Sequence, residues 1–337
     1  MANQTMNRAL LWAGYEVQHV WGTDGHNQNH GAAIFPQAMR WLWKDYPQPV
    51  RTRLDASSST ARDILVDGAG WELVGEGFQW AEGLAVTADG TLYFSDVPAS
   101  KIYRVSPGGQ PELFVEDSGK ANGLALGPDG RLYGACSGIK KILAWDLRTG
   151  EAETIAEGFA SNDLVVLNNG SIYVTDPQGK QVWHIDSAAH EAKPVDRFDG
   201  CNGITVSPDQ TLLHVAHFPD RFIYSYQIAA DGRLNFKQPY FHLHLPPTGT
   251  ESRADGMCTS SEGWLLSATE SGIQICDQPG RVNLILPKPG HGRRVCYVRL
   301  HKNTLYAATA DAVWKRPVKI TAAKPFEKPI VPTKPRL

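Results

Sequence analysis

The sequence predicts an all-β fold, a six-bladed β-propeller with a short α/β extension at its N-terminus. The first observation behind this is a sentence that repeats. Glu82-Gly-Leu-Ala-Val-Thr-Ala-Asp-Gly-Thr-Leu-Tyr returns as Asn122-Gly-Leu-Ala-Leu-Gly-Pro-Asp-Gly-Arg-Leu-Tyr and as Asn162-Asp-Leu-Val-Val-Leu-Asn-Asn-Gly-Ser-Ile-Tyr. Further copies begin at Asn202 and Asp255, and a degraded one at Arg294. The second is the period: heads fall 40 residues apart from 82 to 202, then 53 apart, then 39. A period near 40 with strand–turn–strand content marks one supersecondary unit per propeller blade. The third is turn chemistry between two apolar runs, at Asp89-Gly90, Asp129-Gly130 and Asn169-Gly170, the dipeptides that close tight hairpins.

Residues 1–50 stand outside the repeat. Ala9–Val20 reads as a helix end, a glycine break and a strand; a polar glycine-rich loop with His26 follows. From Ile34 to Tyr46, Phe35, Ala38, Met39, Leu42 and Trp43 recur at helical spacing. Residues 51–69, with Ser57-Ser-Ser-Thr60, have linker composition. The blades occupy about 70–316, and Trp71-Glu-Leu-Val is expected to add an outer strand to the last blade, joining the chain ends. Second strands begin at Leu92, Leu132, Ile172, Leu212 and Leu265; third strands include Lys101-Ile-Tyr-Arg-Val and Gln181-Val-Trp-His-Ile. The blade headed by Asn202 carries 13 extra residues, partly in Pro246–Arg253, so Glu251 to Arg253 are expected to overhang the channel mouth. The tail 317–337 holds five prolines and four lysines and is expected to run over the surface or stay disordered.

Composition narrows the function. With 42% hydrophobic and 20% charged residues, and a net charge of −2, the chain has no basic surplus for nucleic acid or an acidic membrane. No run of 18 apolar residues is present to span a bilayer. The first residues lack the basic and apolar regions of a signal peptide, so a cytoplasmic location is the default expectation. A periplasmic or secreted one stays open if further sequence precedes Met1. The five cysteines, Cys136, Cys201, Cys258, Cys276 and Cys296, show no metal-ligand spacing and read as small buried hydrophobes.

The heads of the repeat carry the chemistry. Equivalent positions of successive blades converge on the central channel, and they hold Glu82, Asn122, Asn162, Asn202 and Asp255. Buried carboxylates and carboxamides cost free energy unless something satisfies them, and a hard divalent cation takes oxygens of this kind. His217, at the end of a second strand, is a weaker candidate for a base beside the ring.

Two resemblances follow from these residues. Glu82-Gly, Asn162-Asp-Leu-Val-Val, Thr175-Asp-Pro, Cys201-Asn202-Gly and Ala254-Asp255-Gly-Met, in this order over about 70–316, resemble the SMP-30/gluconolactonase (regucalcin-like) family. That resemblance implies one divalent cation in the channel, Ca²⁺ foremost, with Mg²⁺, Mn²⁺ or Zn²⁺ as alternatives. It implies Glu82, Asn202, Asp255 and Asn162 as ligands, and hydrolysis of sugar lactones, small-molecule esters, as the activity. Asn122, Asn162, His217 and Arg294 are the expected substrate contacts. Two carboxylates and two carboxamides give a formal −2, which neutralises a divalent cation, and the absence of His and Cys from the ring argues against a dedicated zinc site. Asp255 is expected to be ligand and general base together. Arg294 stands where relatives commonly place Asn, and Ala160 where some place a substrate-gripping arginine. Residues 5–48 resemble the C-terminal end of enterochelin-esterase-like α/β-hydrolases, with His26 in the place of the triad histidine; no nucleophile elbow accompanies it, which implies a remnant of an esterase–propeller fusion. The alternatives to a lactonase are a phosphotriesterase-like hydrolase on the same site and a non-catalytic binding propeller.

Overall fold

The computed structural model describes residues 2–12, 16–22, 25, 27–48, 60–290 and 293–331. The chain forms two compact units, divided between Ser57 and Ser58.

In the first unit the described residues form two helices, Ala2–Trp12 and Asn29–Leu42. The α/β expectation is corrected here. Residues 16–22 make no strand, because a strand needs a partner for its ladder bonds and the described residues of this unit supply none. The second helix starts earlier than its apolar spacing suggests and holds Pro36 in its interior, with Phe35 and Leu42 exposed. His26 lies outside the described residues.

The second unit is built of antiparallel sheets. The short helix Thr60–Ile64 opens it and buries Ile64 completely. Four sheets have four strands each and order their strands as the repeat predicts, for example Ala121–Leu126, Leu132–Cys136, Lys141–Trp145 and Ala152–Glu157. The six-blade expectation is corrected: only these four sheets are separate four-stranded blades. The other seven strands among the described residues form one continuous sheet that joins the first strands of this unit to its last. Its cause is the 15-residue strand Glu72–Val86. The first part of that strand pairs with Ala310–Pro317, Glu72 opposite Lys315, and the last part with Leu92–Asp96, Val86 opposite Leu92. A motif period counts copies of a motif; it does not say how many sheets the copies' strands share.

The first strand of each unit of the repeat neighbours the next around a closed, propeller-like ring. Glu72–Val86 lies beside Ala121–Leu126, and the sequence continues through Leu164–Val166, Cys201–Val206, Met257–Thr259 and Tyr297–His301 back to Glu72–Val86. The core lies between neighbouring sheets: Ala85, Tyr93 and Ile102 pack with Leu124, Leu132 and Trp145 of the next one. All five cysteines are free and buried in this core.

The ring of heads is positioned by two local devices. In three strands the register slips at the head: between Ala81 and Leu84, Ala121 and Leu124, and Cys201 and Ile204. Such β-bulges re-aim side chains and are concentrated beside functional sites. The glycine after the head lets adjacent inner strands touch. A Cβ at Gly83 would stand 2.2 Å from the Asn122 carbonyl oxygen, and one at Gly203 2.0 Å from that of Asp255.

The described part of the tail, residues 317–331, lies along this unit. Val318 pairs with Leu65 and Ala322 with Ser260, and Ile330 donates its N–H to the Pro208 carbonyl at 2.9 Å.

Candidate active site

Glu82 and Asp255 are both almost fully buried, one on the bulge of the first long strand, the other just ahead of Met257–Thr259. Trp80, two residues before Glu82 and so on the same side of the strand, donates its indole N–H to Glu82 Oε2 at 2.5 Å. Arg294 Nη1 stands 2.9 Å from Asp255 Oδ2. That nitrogen has no partner by hydrogen-bond geometry, so the contact is one of charges rather than an aligned bond. The guanidinium lies against two rings, its carbon 5.7 Å from the Trp80 centroid and 5.2 Å from that of Phe218.

The electrostatics show a pair of carboxylates short of compensation. Burial, and next the charge of Asp255, push Glu82 well above the usual carboxylate range, against the opposing pull of Arg294 and the Trp80 hydrogen bond. Burial pushes Asp255 up to about 6, although Arg294, the Gly256 N–H and the Asn202 side chain all favour its charged form. Burial works against the charge on Arg294, but Asp255, Cys296 and Glu82 hold it above its ordinary value. Asn202 is half-buried, and its Oδ1 is buried with no hydrogen-bond partner. An orphaned amide oxygen is costly inside a protein.

The structure thus brings Glu82, Asn202, Asp255 and Arg294 together by direct interaction. Asn122 and Asn162 belong to the same ring through backbone bonds. The Asn122 carbonyl accepts from Ser95 Oγ at 2.7 Å, the Asn162 carbonyl from Gly123 N at 2.8 Å, and the Asn202 carbonyl from Thr175 Oγ1 at 2.6 Å. His217 stacks on Phe198 at 5.4 Å, sits edge-on to Tyr224, and lies 3.6 Å from Asp220. Glu251 and Arg253 pair with each other, and Arg253 also reaches Glu270.

Sequence reasoning missed two sets of residues. Trp80 and Phe218 grip the arginine, and the i, i+2 spacing of Trp80 to Glu82 was the signal available. The second set is Asp163, Tyr297 and Arg299. Asp163 accepts from Tyr297 OH at 2.9 Å, Leu164 N at 2.8 Å and Ile204 N at 3.3 Å. Burial pushes its carboxyl up to about 7 against those bonds and the charge of Arg299. Arg299 donates to the Leu84 carbonyl at 2.8 Å, the Leu124 carbonyl at 3.3 Å and Tyr297 OH at 3.1 Å. The break of pattern from X-Gly to Asn162-Asp163 marked the position. A small cavity of about 30 Å³, walled by Arg299, Leu300 and Phe326 among others, adjoins this group and is lined by neither Glu82, Asp255 nor Arg294.

As donors for a metal, Glu82, Asp255 and the free Oδ1 of Asn202 are oxygens of the type a hard divalent cation takes, and their unmet charge and orphaned lone pairs fit one. Among the described residues no three His, Cys, Asp or Glu side chains form a metal-ligating cluster, so any such site depends on carboxamide oxygens as well.

A family profile described as the SMP-30/Gluconolactonase/LRE-like region matches residues 74–311. A gluconolactonase of Zymomonas mobilis is 26% identical over 308 residues, covering 77% of this chain and 83% of its own length. Among solved structures, a gluconolactonase of Xanthomonas campestris superposes with a TM-score of 0.69 at 22% identity, covering 77% of this chain and 92% of that one. A calcium-binding regucalcin of Agrobacterium tumefaciens superposes with a TM-score of 0.65 at 15% identity, covering 78% and 98%.

Proposed function

Because the chain belongs to the SMP-30/gluconolactonase/LRE-like family, we propose that it is a divalent-metal-dependent hydrolase that opens sugar lactones. The observation that carries this reading is the buried carboxylate pair beside an amide oxygen without a partner. Glu82, Asp255 and Asn202, with Asn162 from the neighbouring strand, would hold the cation, Ca²⁺ foremost. A cation there would polarise the lactone carbonyl and acidify a water.

The residues supply the rest. Asp255 is the general base of this scheme, a buried carboxyl beside the would-be cation. It takes a proton from water as the water oxygen adds to the carbonyl carbon. Collapse of the tetrahedral adduct breaks the ring C–O bond, the proton passes to the departing ring oxygen, and a hydroxy acid results. Arg294 holds Asp255 in place from one side, while Trp80 fixes Glu82 from the other. Phe218 walls the arginine and limits the water that reaches it. His217 packs on aromatic rings and has no part in this scheme.

The test is turnover of D-glucono-1,5-lactone beside a paraoxon-type phosphotriester, each with and without chelator. The expected result is lactone opening that chelation abolishes and added Ca²⁺ restores. Faster turnover of the phosphotriester would move the assignment to the phosphotriesterase-like alternative. Full lactone turnover in chelator would end the metal reading.

A further inference from the structure

The far end of the ring is covered by a segment that lies outside the repeat. Glu82 and Asp255 stand at the heads of the repeat, whereas inner strands end at Val86, Leu126, Val166 and Thr259, roughly 13 Å further along an extended chain. Residues 317–331 cross these far ends. Val318 N donates to the Asn303 carbonyl at 2.9 Å, Ala323 N to that of Thr259 at 3.1 Å, and Gln210 Nε2 to that of Glu327 at 2.8 Å, so the segment passes over three units of the repeat. Midway, Lys324-Pro-Phe-Glu327 makes a turn closed by Glu327 N on the Lys324 carbonyl at 3.0 Å, with proline at the second position, where its fixed φ favours a turn. The turn buries Pro325 and packs Phe326 against the cluster of Ala85, Leu126 and Trp145. Behind it lies the cavity of about 30 Å³, walled by residues 323–326 and by inner-strand residues that include Val86, Leu126, Val166, Ile204 and Leu300. Arg299 also walls this cavity and joins it to Tyr297 and the Asp163 carboxylate.

We propose that residues 323–326 are a seal: they close the end of the channel away from Glu82 and Asp255 and keep bulk water from the Asp163–Tyr297–Arg299 group. Hydrogen bonds among buried polar groups are stronger where water is excluded, and the cavity behind the turn has room for only one or two waters. Phe326 supplies the stopper, and the backbone bonds on either side of the turn hold it in place. Ligands then reach the carboxylate pair from the head side of the ring. The seal does not depend on which reaction the site performs.

The experiment uses the full chain with Ala125→Cys as reporter, a substitution on the cavity wall. All five native cysteines are buried, so the chain without the reporter supplies a low background. The rate at which the introduced thiol reacts with an aromatic disulfide reagent is measured under native conditions. With the natural tail it should react at least about tenfold more slowly than free cysteine, and Phe326→Ser should speed it by about tenfold or more, as opening of a local segment does. Phe326→Leu, which keeps an apolar side chain in the turn, should hold the rate near its starting value. Phe326→Ala serves if Phe326→Ser fails to fold, since it removes the ring without adding a polar group. Denaturant unfolding gives a second readout. Asp163→Ala should lower the folding constant by a factor about tenfold smaller in the Phe326→Ser chain than in the unmodified one, because water already reaches Tyr297 and Arg299 there. A reporter that reacts like free cysteine beneath the natural tail overturns the proposal, as does a rate unchanged by Phe326→Ser. An equal rise at the native cysteines, which would mean general loosening, or strictly additive losses of stability overturn it as well.

Discussion

Two buried acid–arginine groups occupy the inner strands, and they are finished differently. Around Asp163 every strong partner is internal: Tyr297, two backbone N–H groups and, through Tyr297, the guanidinium of Arg299, itself satisfied by carbonyls of two other strands. Around Asp255 two carboxylates share one arginine, whose contact is poorly aligned, and the Asn202 Oδ1 beside them has no partner. A closed network of buried polar groups rigidifies a core, whereas an unfinished one carries an unmet cost. The Asp163 group is accordingly a structural clasp between strands far apart in sequence, and the Asp255 group is a site whose completion is left to something that binds.

The largest expected effect tests the open group. Asp255→Asn keeps the shape and an oxygen donor but removes the charge and the base, so turnover of a lactone at saturating Ca²⁺ should fall by about 10²–10⁴-fold, with a cooperative thermal transition retained. Near-normal turnover would make Asp255 a ligand only and would send the search for the base elsewhere. The second effect tests the clasp. Asp163→Ala leaves the Tyr297 hydroxyl without its acceptor and the buried Arg299 without its nearby counter-charge, and denaturant unfolding should show a loss of about 3–5 kcal/mol. If Asp255→Asn destabilises the fold as much as Asp163→Ala does, the distinction between clasp and site collapses.

A smaller effect separates the two groups from the rest of the acid response. His214 is fully buried, hydrogen-bonded to Ser225 Oγ at 2.8 Å, and burial lowers it from 6.5 to about 4. The unfolded chain therefore takes up this proton first, and stability present above pH 6.5 is lost as pH falls toward 4, by about 3 kcal/mol. Asp163, pushed up to about 7, acts with the opposite sign. The folded state keeps a proton that the unfolded state releases, so its contribution declines as pH rises from about 4 to about 7. His214→Gln should remove the first arm, and thermal unfolding across pH 4–7 should then show stability falling with pH more steeply than in the unmodified protein. An unchanged profile would mean that His214 does not titrate as its burial requires.

The sequence by itself determined whatever is periodic and local. The repeat placed Glu82, Asn122, Asn162, Asn202 and Asp255 at equivalent points, the Asp-Gly and Asn-Gly turns fell between paired strands as their backbone preferences require, and the order of motifs pointed to the family. These features are legible because each blade repeats the same short-range physics of alternation, turn geometry and close inner packing. Only the tertiary structure decided how the strands were shared. One 15-residue strand paired with two partners and made a seven-stranded sheet where separate blades were expected. In the same way residues 16–22 found no strand partner among the described residues. Only the tertiary structure, too, brought Arg294 onto Asp255, Tyr297 onto Asp163 across 134 positions, and Arg299 onto the Leu84 carbonyl across 215. Contacts at such separations depend on where the ring closes, and a buried charge is satisfied or left wanting by neighbours that no local pattern specifies.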